Sequence, residues 1–139
     1  LALFQLGLRL EAALAVTSSL IDGFAGEGEQ VWIGRMRPSA PAVHVAAHLS
    51  GYSFPSGHVV FFIEFFGFLL FLSFVLLKPG VVRRFALTVF GSLIALVGVS
   101  RVYLGAHWPS DVVGAYLAGG MWLMLMIDVY RRLKSRQRT

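Results

Sequence analysis

The sequence lacks cysteine and has few charged residues. Only 14% of its 139 residues are Asp, Glu, Lys or Arg, whereas 57% are apolar, and a soluble protein usually has about a quarter of its residues charged. The absence of cysteine excludes disulfide bonds and thiolate metal sites. The low charge and high apolar content are typical of an integral membrane protein, and the length is that of a single domain.

The net charge of +5 comes largely from the end of the chain. Five of the twelve basic residues lie in the last nine positions. A short basic tail that follows an apolar helix is typical of a membrane surface, so we expect no nucleic-acid partner. The five residues are Arg131, Arg132, Lys134, Arg136 and Arg138.

Long apolar runs predict an all-α, polytopic transmembrane helical bundle. The run 59–77 is the clearest because Glu64 is its only charged residue, whereas Arg9 and Glu11 interrupt the first run. The sequence begins at Leu1 without Met, and we expect it to be part of a six-helix protein, with earlier helices or a signal segment before this residue. The four helices predicted here cover about residues 1–22, 57–77, 84–104 and 109–131, with a basic tail over 131–139.

The polar residues 23–56 predict a long loop, and such loops usually carry function. Lys78, Arg83 and Arg84 lie between the second and third helices, and the basic tail follows the fourth. The positive-inside rule therefore places these ends in the cytoplasm. The long loop and the turn 101–111 then lie on the extracytoplasmic face of the cell membrane.

Residues suited to binding phosphate lie at those outward ends. Phosphoryl transfer needs cations for the nonbridging oxygens, a nucleophile and an acid for the leaving group. Arg37 and Arg101 carry planar guanidinium groups that match pairs of phosphate oxygens. Ser56 and the amides around Gly57 offer donors at the positive end of a helix that is entered at His58.

His107 and Asp111 are four residues apart in the predicted turn. They lie on one face if Trp108-Pro109 opens the last helix, since proline is tolerated in the first turn. A carboxylate on one imidazole nitrogen would orient the ring and leave the other nitrogen free to attack phosphorus.

Three motifs resemble those of the type-2 phosphatidic acid phosphatase superfamily. This superfamily includes lipid phosphate phosphatases, undecaprenyl pyrophosphate phosphatases, class A acid phosphatases and vanadium haloperoxidases. The first family motif is Lys, six residues, Arg-Pro, and this chain has Gln30 in the lysine position. The motifs in this sequence are Gln30 with Arg37-Pro38, then Pro55-Ser56-Gly57-His58, then Ser100-Arg101 with His107 and Asp111.

The resemblance implies a role for each matching residue. His107 would be the nucleophile that forms a phosphohistidine, Asp111 its orienting partner, and His58 the acid that protonates the leaving oxygen. No metal or other cofactor is implied. The phosphate cradle would consist of Arg37, Ser56, Gly57 and Arg101, with Gln30 as an uncharged member.

The sequence therefore predicts an integral membrane phosphatase, with membrane lipids around it and a lipid phosphate or pyrophosphate as substrate. Phosphatidic acid, phosphatidylglycerol phosphate and undecaprenyl pyrophosphate all fit. The alternative, suggested by Gln30, is a noncatalytic lipid-phosphate binding or transport protein with a degenerate site. A haloperoxidase is disfavoured because those relatives are soluble.

Other polar residues have simpler interpretations. His44 and His48 would share a face if their segment were helical and would then suit a metal, although no carboxylate is close to them in sequence. Arg35 is interpreted as a solvated loop or interface charge. Glu64 is either a buried hydrogen-bonding residue or part of a lipid pocket. The three glycines Gly114, Gly119 and Gly120 predict close helix packing.

Overall fold

The computed structural model describes residues 2–5, 7–39, 45–46 and 50–137, and confirms an all-α fold. Three of the helices in these ranges are long and apolar enough to cross a membrane, namely Gly57–Leu76, Val81–Tyr103 and Pro109–Arg136. The described helices are α1 (Ala2–Gln5), α2 (Arg9–Ile33), α3 (Gly57–Leu76), α4 (Val81–Tyr103) and α5 (Pro109–Arg136).

Helix α2 corrects the predicted loop. It continues through residues 23–33, although the sequence predicts a loop over 23–56, and a short α1 precedes it. Each glycine in a helix costs about 1 kcal/mol relative to alanine, but glutamate and glutamine between them are good helix formers. Gly34 ends α2 in the left-handed conformation, with φ 64°, and donates its N–H to the Gln30 carbonyl at 3.0 Å.

Helix α3 is the centre of the bundle, because it packs against α2, α4 and α5. Gly119 of α5 allows close approach, since a Cβ there would lie 3.3 Å from the backbone of Val60. The prediction of close packing is thus confirmed at Gly119. It is not supported at Gly120, where a Cβ would meet none of the described residues within 4 Å, and Gly114 faces the ring of Phe54 from the loop before α3.

A buried polar contact joins α2, α3 and α5 within the apolar core. Glu64 is buried and accepts a hydrogen bond from the Ser18 hydroxyl at 3.0 Å. Trp122 donates its indole N–H to the same hydroxyl, also at 3.0 Å. Glu64 is therefore a buried hydrogen-bonding residue, as one of its two interpretations predicted.

The basic end of the bundle is held by a second polar contact. The carboxylate of Glu11, near the start of α2, accepts bonds from Lys134 at 2.7 Å and from Tyr130 at 3.2 Å. Both partners lie in the last two turns of α5. A separate contact at this end places Arg83, at the start of α4, over the ring of Phe74. The opposite end, where α2 and α4 end and α3 and α5 begin, carries the residues of the predicted site.

Candidate active site

His107 lies in the turn between α4 and α5. Gly105, with φ 64°, reverses the chain after α4, and this turn buries the imidazole, of which 3% is exposed. Its Nδ1 lies 2.8 Å from the carbonyl oxygen of Ser53. Because a carbonyl only accepts, we assign the proton to Nδ1, and Nε2 keeps its lone pair.

Arg37 contacts the other side of the same ring. One terminal nitrogen of its guanidinium is 3.1 Å from His107 Nε2 and 3.0 Å from the Ala106 carbonyl. Its Nε donates to the Gly51 carbonyl at 3.2 Å. Arg37 has only donors to offer, which agrees with an unprotonated Nε2 on His107.

The surroundings of His107 favour its neutral form. Burial lowers the pKa of His107 below its ordinary value of 6.5. The hydrogen bond to Ser53 opposes this shift, and the charge of Arg37 adds to it. A neutral imidazole with a free lone pair at neutral pH is the form that acts as a nucleophile.

Asp111 is fully buried in the first turn of α5. Its Oδ2 accepts the Trp108 N–H at 2.8 Å and the Ser53 hydroxyl. The His107 Nδ1 is 3.8 Å from the same oxygen, which is too long for a hydrogen bond. The predicted direct bond from His107 to Asp111 is therefore missing, because His107 precedes the helix and its Nδ1 meets the Ser53 carbonyl first.

Arg35 lies in the site, and its interpretation as a solvated loop or interface charge is wrong. It donates to Asp111 Oδ1 at 2.7 Å and to the Ser110 hydroxyl at 2.8 Å. The sequence signal for Arg35 is its position two residues before Arg37, because side chains two residues apart in an extended segment point the same way. No sequence signal indicated Ser53, which is far from His107 along the chain.

Ser56 and Gly57 begin α3 as predicted. Ser56 is the N-cap residue, makes no side-chain capping bond and is fully buried. Its hydroxyl has no hydrogen-bond partner within the described part of the chain. Its backbone N–H donates to the Asp111 carbonyl at 3.5 Å, so the starts of α3 and α5 adjoin.

A pocket of about 470 Å³ opens between α2 and α3 beside these residues. The exposed ring of His58 lines it, together with Gln30 and the apolar rings of Phe61 and Phe62. The Gln30 amide donates to the Pro55 carbonyl at 3.0 Å. Gln30 thus lies beside the start of α3, where the family motif has lysine.

Two predictions remain, one for Arg101 as a phosphate ligand and one for His44 and His48 as metal ligands. Arg101 is half-buried, and its Nε donates to the Ser100 hydroxyl at 3.3 Å. It lies near enough to act electrostatically on His58, as Arg37 does. His44 and His48 lie outside the described residues, so the metal alternative stays a prediction.

Comparison with known proteins matches this arrangement to a family. The sequence profile of the PAP2 superfamily matches residues 8–135. Phosphatidylglycerophosphatase B of Bacillus subtilis (strain 168) is 35% identical over 109 residues, which are 74% of this chain and 50% of the relative. Lipid A 1-phosphatase of Rhizobium etli is 37% identical over 87 residues, which are 63% of this chain and 33% of the relative. The chain thus spans half of the first relative and a third of the second.

A solved structure gives the same result for the fold. It is described as the crystal structure of the first transmembrane PAP2 type phosphatidylglycerolphosphate phosphatase from Bacillus subtilis. Its TM-score with this chain is 0.68 at 28% sequence identity, and the match covers 90% of this chain and 59% of that one. With residues 8–135 matched by the family profile and its fold shared with a transmembrane phosphatase, this chain belongs to the PAP2 superfamily.

Proposed function

We propose that this chain hydrolyses a lipid phosphate or pyrophosphate through a phosphohistidine intermediate on His107. The observation that carries the proposal is the hydrogen bond from His107 Nδ1 to the Ser53 carbonyl. It leaves Nε2 with a lone pair beside Arg37, and a nucleophile next to a guanidinium is the arrangement that attack on a phosphate requires.

The surrounding donors suit the phosphate oxygens. The unpaired Ser56 hydroxyl and the first amides of α3 lie at the positive end of a helix. Arg37 and Arg101 supply charge, and Gln30 supplies an uncharged donor. When phosphate binds, Arg37 exchanges its bond to His107 for the phosphate oxygens, and this exchange exposes the attacking nitrogen.

The reaction then has two steps. His107 Nε2 attacks phosphorus, the bond from phosphorus to the leaving oxygen breaks, and His58 gives that oxygen a proton. Water next attacks the phosphohistidine, its proton returns to His58, and the bond from phosphorus to nitrogen breaks. Phosphate leaves, both histidines are restored, and no metal enters either step.

The pocket between α2 and α3 supports a lipid substrate. Its polar residues His58 and Gln30 lie next to the apolar rings of Phe61 and Phe62, as a headgroup joined to a hydrocarbon chain requires. Two relatives are named for phosphatidylglycerol phosphate and lipid A. Phosphatidic acid and undecaprenyl pyrophosphate have the same two parts and belong to the proposed substrate class.

The site is proposed to face away from the cytoplasm. Lys78, Arg83 and Arg84 lie at the end of α3 and the start of α4, and the basic residues of α5 lie at its end. All of these are at the end of the bundle opposite His107. By the positive-inside rule that end is cytoplasmic.

Phosphate release from a panel of lipid phosphates by the detergent-solubilised protein tests the function. We expect turnover in the wild type, none in His107→Ala, and a radiolabelled phosphate bound to protein that acid removes and base does not. His58→Ala should lose most activity on substrates with poor leaving groups. Binding of lipid phosphate without release would favour the noncatalytic alternative, and strong inhibition by chelators would make His44 and His48 candidate metal ligands.

A further inference from the structure

Ser53 is the only residue within the described part of the chain whose hydrogen bonds reach both His107 and Asp111 through its own atoms. Its carbonyl oxygen is 2.8 Å from His107 Nδ1, and its hydroxyl donates to Asp111 Oδ2. Its own N–H donates to the Arg35 carbonyl at 2.7 Å. The residue is fully buried, and its hydroxyl is already bonded to Asp111.

The carboxylate of Asp111 is already satisfied by other donors. Oδ1 accepts from Arg35 at 2.7 Å, and Oδ2 accepts from the Trp108 N–H at 2.8 Å as well as from Ser53. These three donors hold the carboxylate 3.8 Å from the imidazole. Among the residues that the structure describes, only Ser53 has an acceptor at hydrogen-bond distance from Nδ1, so the orientation of the ring depends on where Ser53 is held.

We infer that Ser53 is a positioning residue. Its carbonyl fixes the tautomer of His107, and its hydroxyl, bonded to Asp111, lets that carboxylate fix the position of the imidazole. The inference rests on the proposed function only for its effect on turnover. Asp111 then acts on the nucleophile through Ser53 and not by direct contact. Arg35 takes part because its charge neutralises Asp111. The proton on His107 Nδ1 is therefore bonded to the Ser53 carbonyl and not to the carboxylate.

The substitution Ser53→Ala removes the hydroxyl and keeps the carbonyl. We expect kcat to fall by about ten- to a hundredfold, the range of a lost hydrogen bond to a charged group. KM should change little because the Ser53 hydroxyl is already bonded to Asp111. The matched control is Ser50→Ala, an exposed serine three residues earlier, which should keep wild-type kcat and KM.

The pH profile separates positioning from a loss of folding. The neutral ring of His107 attacks, so kcat/KM falls as the pH drops through the pKa of His107. Without the Ser53 hydroxyl, Asp111 has one donor fewer and its negative charge stabilises the protonated ring. The pKa of His107 then rises, and the acid limb of the Ser53→Ala profile should lie at higher pH than that of the wild type.

Nitrogen NMR of the ¹⁵N-histidine-labelled wild-type protein tests the same inference without turnover. The His107 signals, assigned by comparison with His107→Gln, should show a protonated Nδ1 and an unprotonated Nε2 at neutral pH. A proton on Nε2, or Ser53→Ala with unchanged kcat and an unchanged acid limb, would overturn the inference. If the wild type released no phosphate but showed this tautomer, the proposed function would fail and the positioning of His107 by Ser53 would stand.

Discussion

Gln30 occupies the position at which the family motif has lysine, and its amide lies beside the start of α3. An ammonium there would add a charge-assisted bond to phosphate, worth roughly 1.5 to 3 kcal/mol. Gln30→Lys should therefore raise kcat/KM by about ten- to a hundredfold, measured as phosphate release. The matched control is Glu29→Gln, which changes the net charge equally in the same pocket but places no ammonium on the phosphate.

Arg35 does not replace the missing lysine, because its guanidinium is paired with the buried Asp111. Arg35→Gln should lower kcat by leaving that carboxylate without its cation, and it should do so in the Gln30→Lys background as well. If Gln30→Lys changes nothing, position 30 does not contact phosphate. If Gln30→Lys rescues Arg35→Gln, the two side chains share one role.

Most site residues were predictable from sequence because their motifs are local. Pro55 to His58 form a turn and a helix start, and His107 to Asp111 form a turn and a first helical turn, so spacing alone determines which residues adjoin. Ser53 was missed because its bonds to His107 and Asp111 depend on how the loop after α2 packs on α5. Arg35 was misread because only the fold shows that a buried carboxylate faces it.

At the level of helices, Gly119 brings the backbones of α5 and α3 close together. A Cβ at Gly119 would meet Ile63 at 3.2 Å and the Val60 backbone at 3.3 Å, whereas one at Gly120 would meet no part of the described chain within 4 Å. Gly119→Val should destabilise the protein by about 1 to 3 kcal/mol relative to Gly120→Val, because overpacking displaces the helices. The two substitutions have the same helix propensity, so the difference in their thermal unfolding in detergent isolates packing. Equal melting temperatures would contradict the close contact.

The apolar runs predicted α3 and α4 to within three residues because each is limited by charge or by glycine and proline. The predicted end of α5 was wrong, since the helix continues to Arg136 through most of the basic tail predicted over 131–139. The end of α2 was wrong by about eleven residues, since the glycines in 23–33 resemble a loop pattern. The polar residues of this stretch lie near a helix end, where contacts such as that of Gln30 with Pro55, in the loop just before α3, stabilise the helix. Composition alone does not contain those contacts.

For the whole molecule, the arrangement of charge predicts the sidedness of the site. The chain has no cysteine, so single cysteines report without background. Ser110→Cys should react with an impermeant thiol reagent added outside intact cells, and Gly80→Cys should react only after the membrane is opened. Both positions are exposed, which makes each the control for the other. Labelling in the reverse pattern would place the site in the cytoplasm.

The starts of α3 and α5 adjoin through the bond from Ser56 N–H to the Asp111 carbonyl, and in the proposed function the backbone itself is part of the phosphate site. A helix N-terminus carries the equivalent of about half a positive charge, and at α5 the buried Asp111 carboxylate already accepts the Trp108 N–H. An anion bound as proposed therefore meets about half a charge, from the start of α3, that belongs to no side chain. That charge does not titrate, and no single substitution removes it. A site built in this way tolerates glutamine in place of lysine, since part of its attraction for phosphate is encoded in the fold.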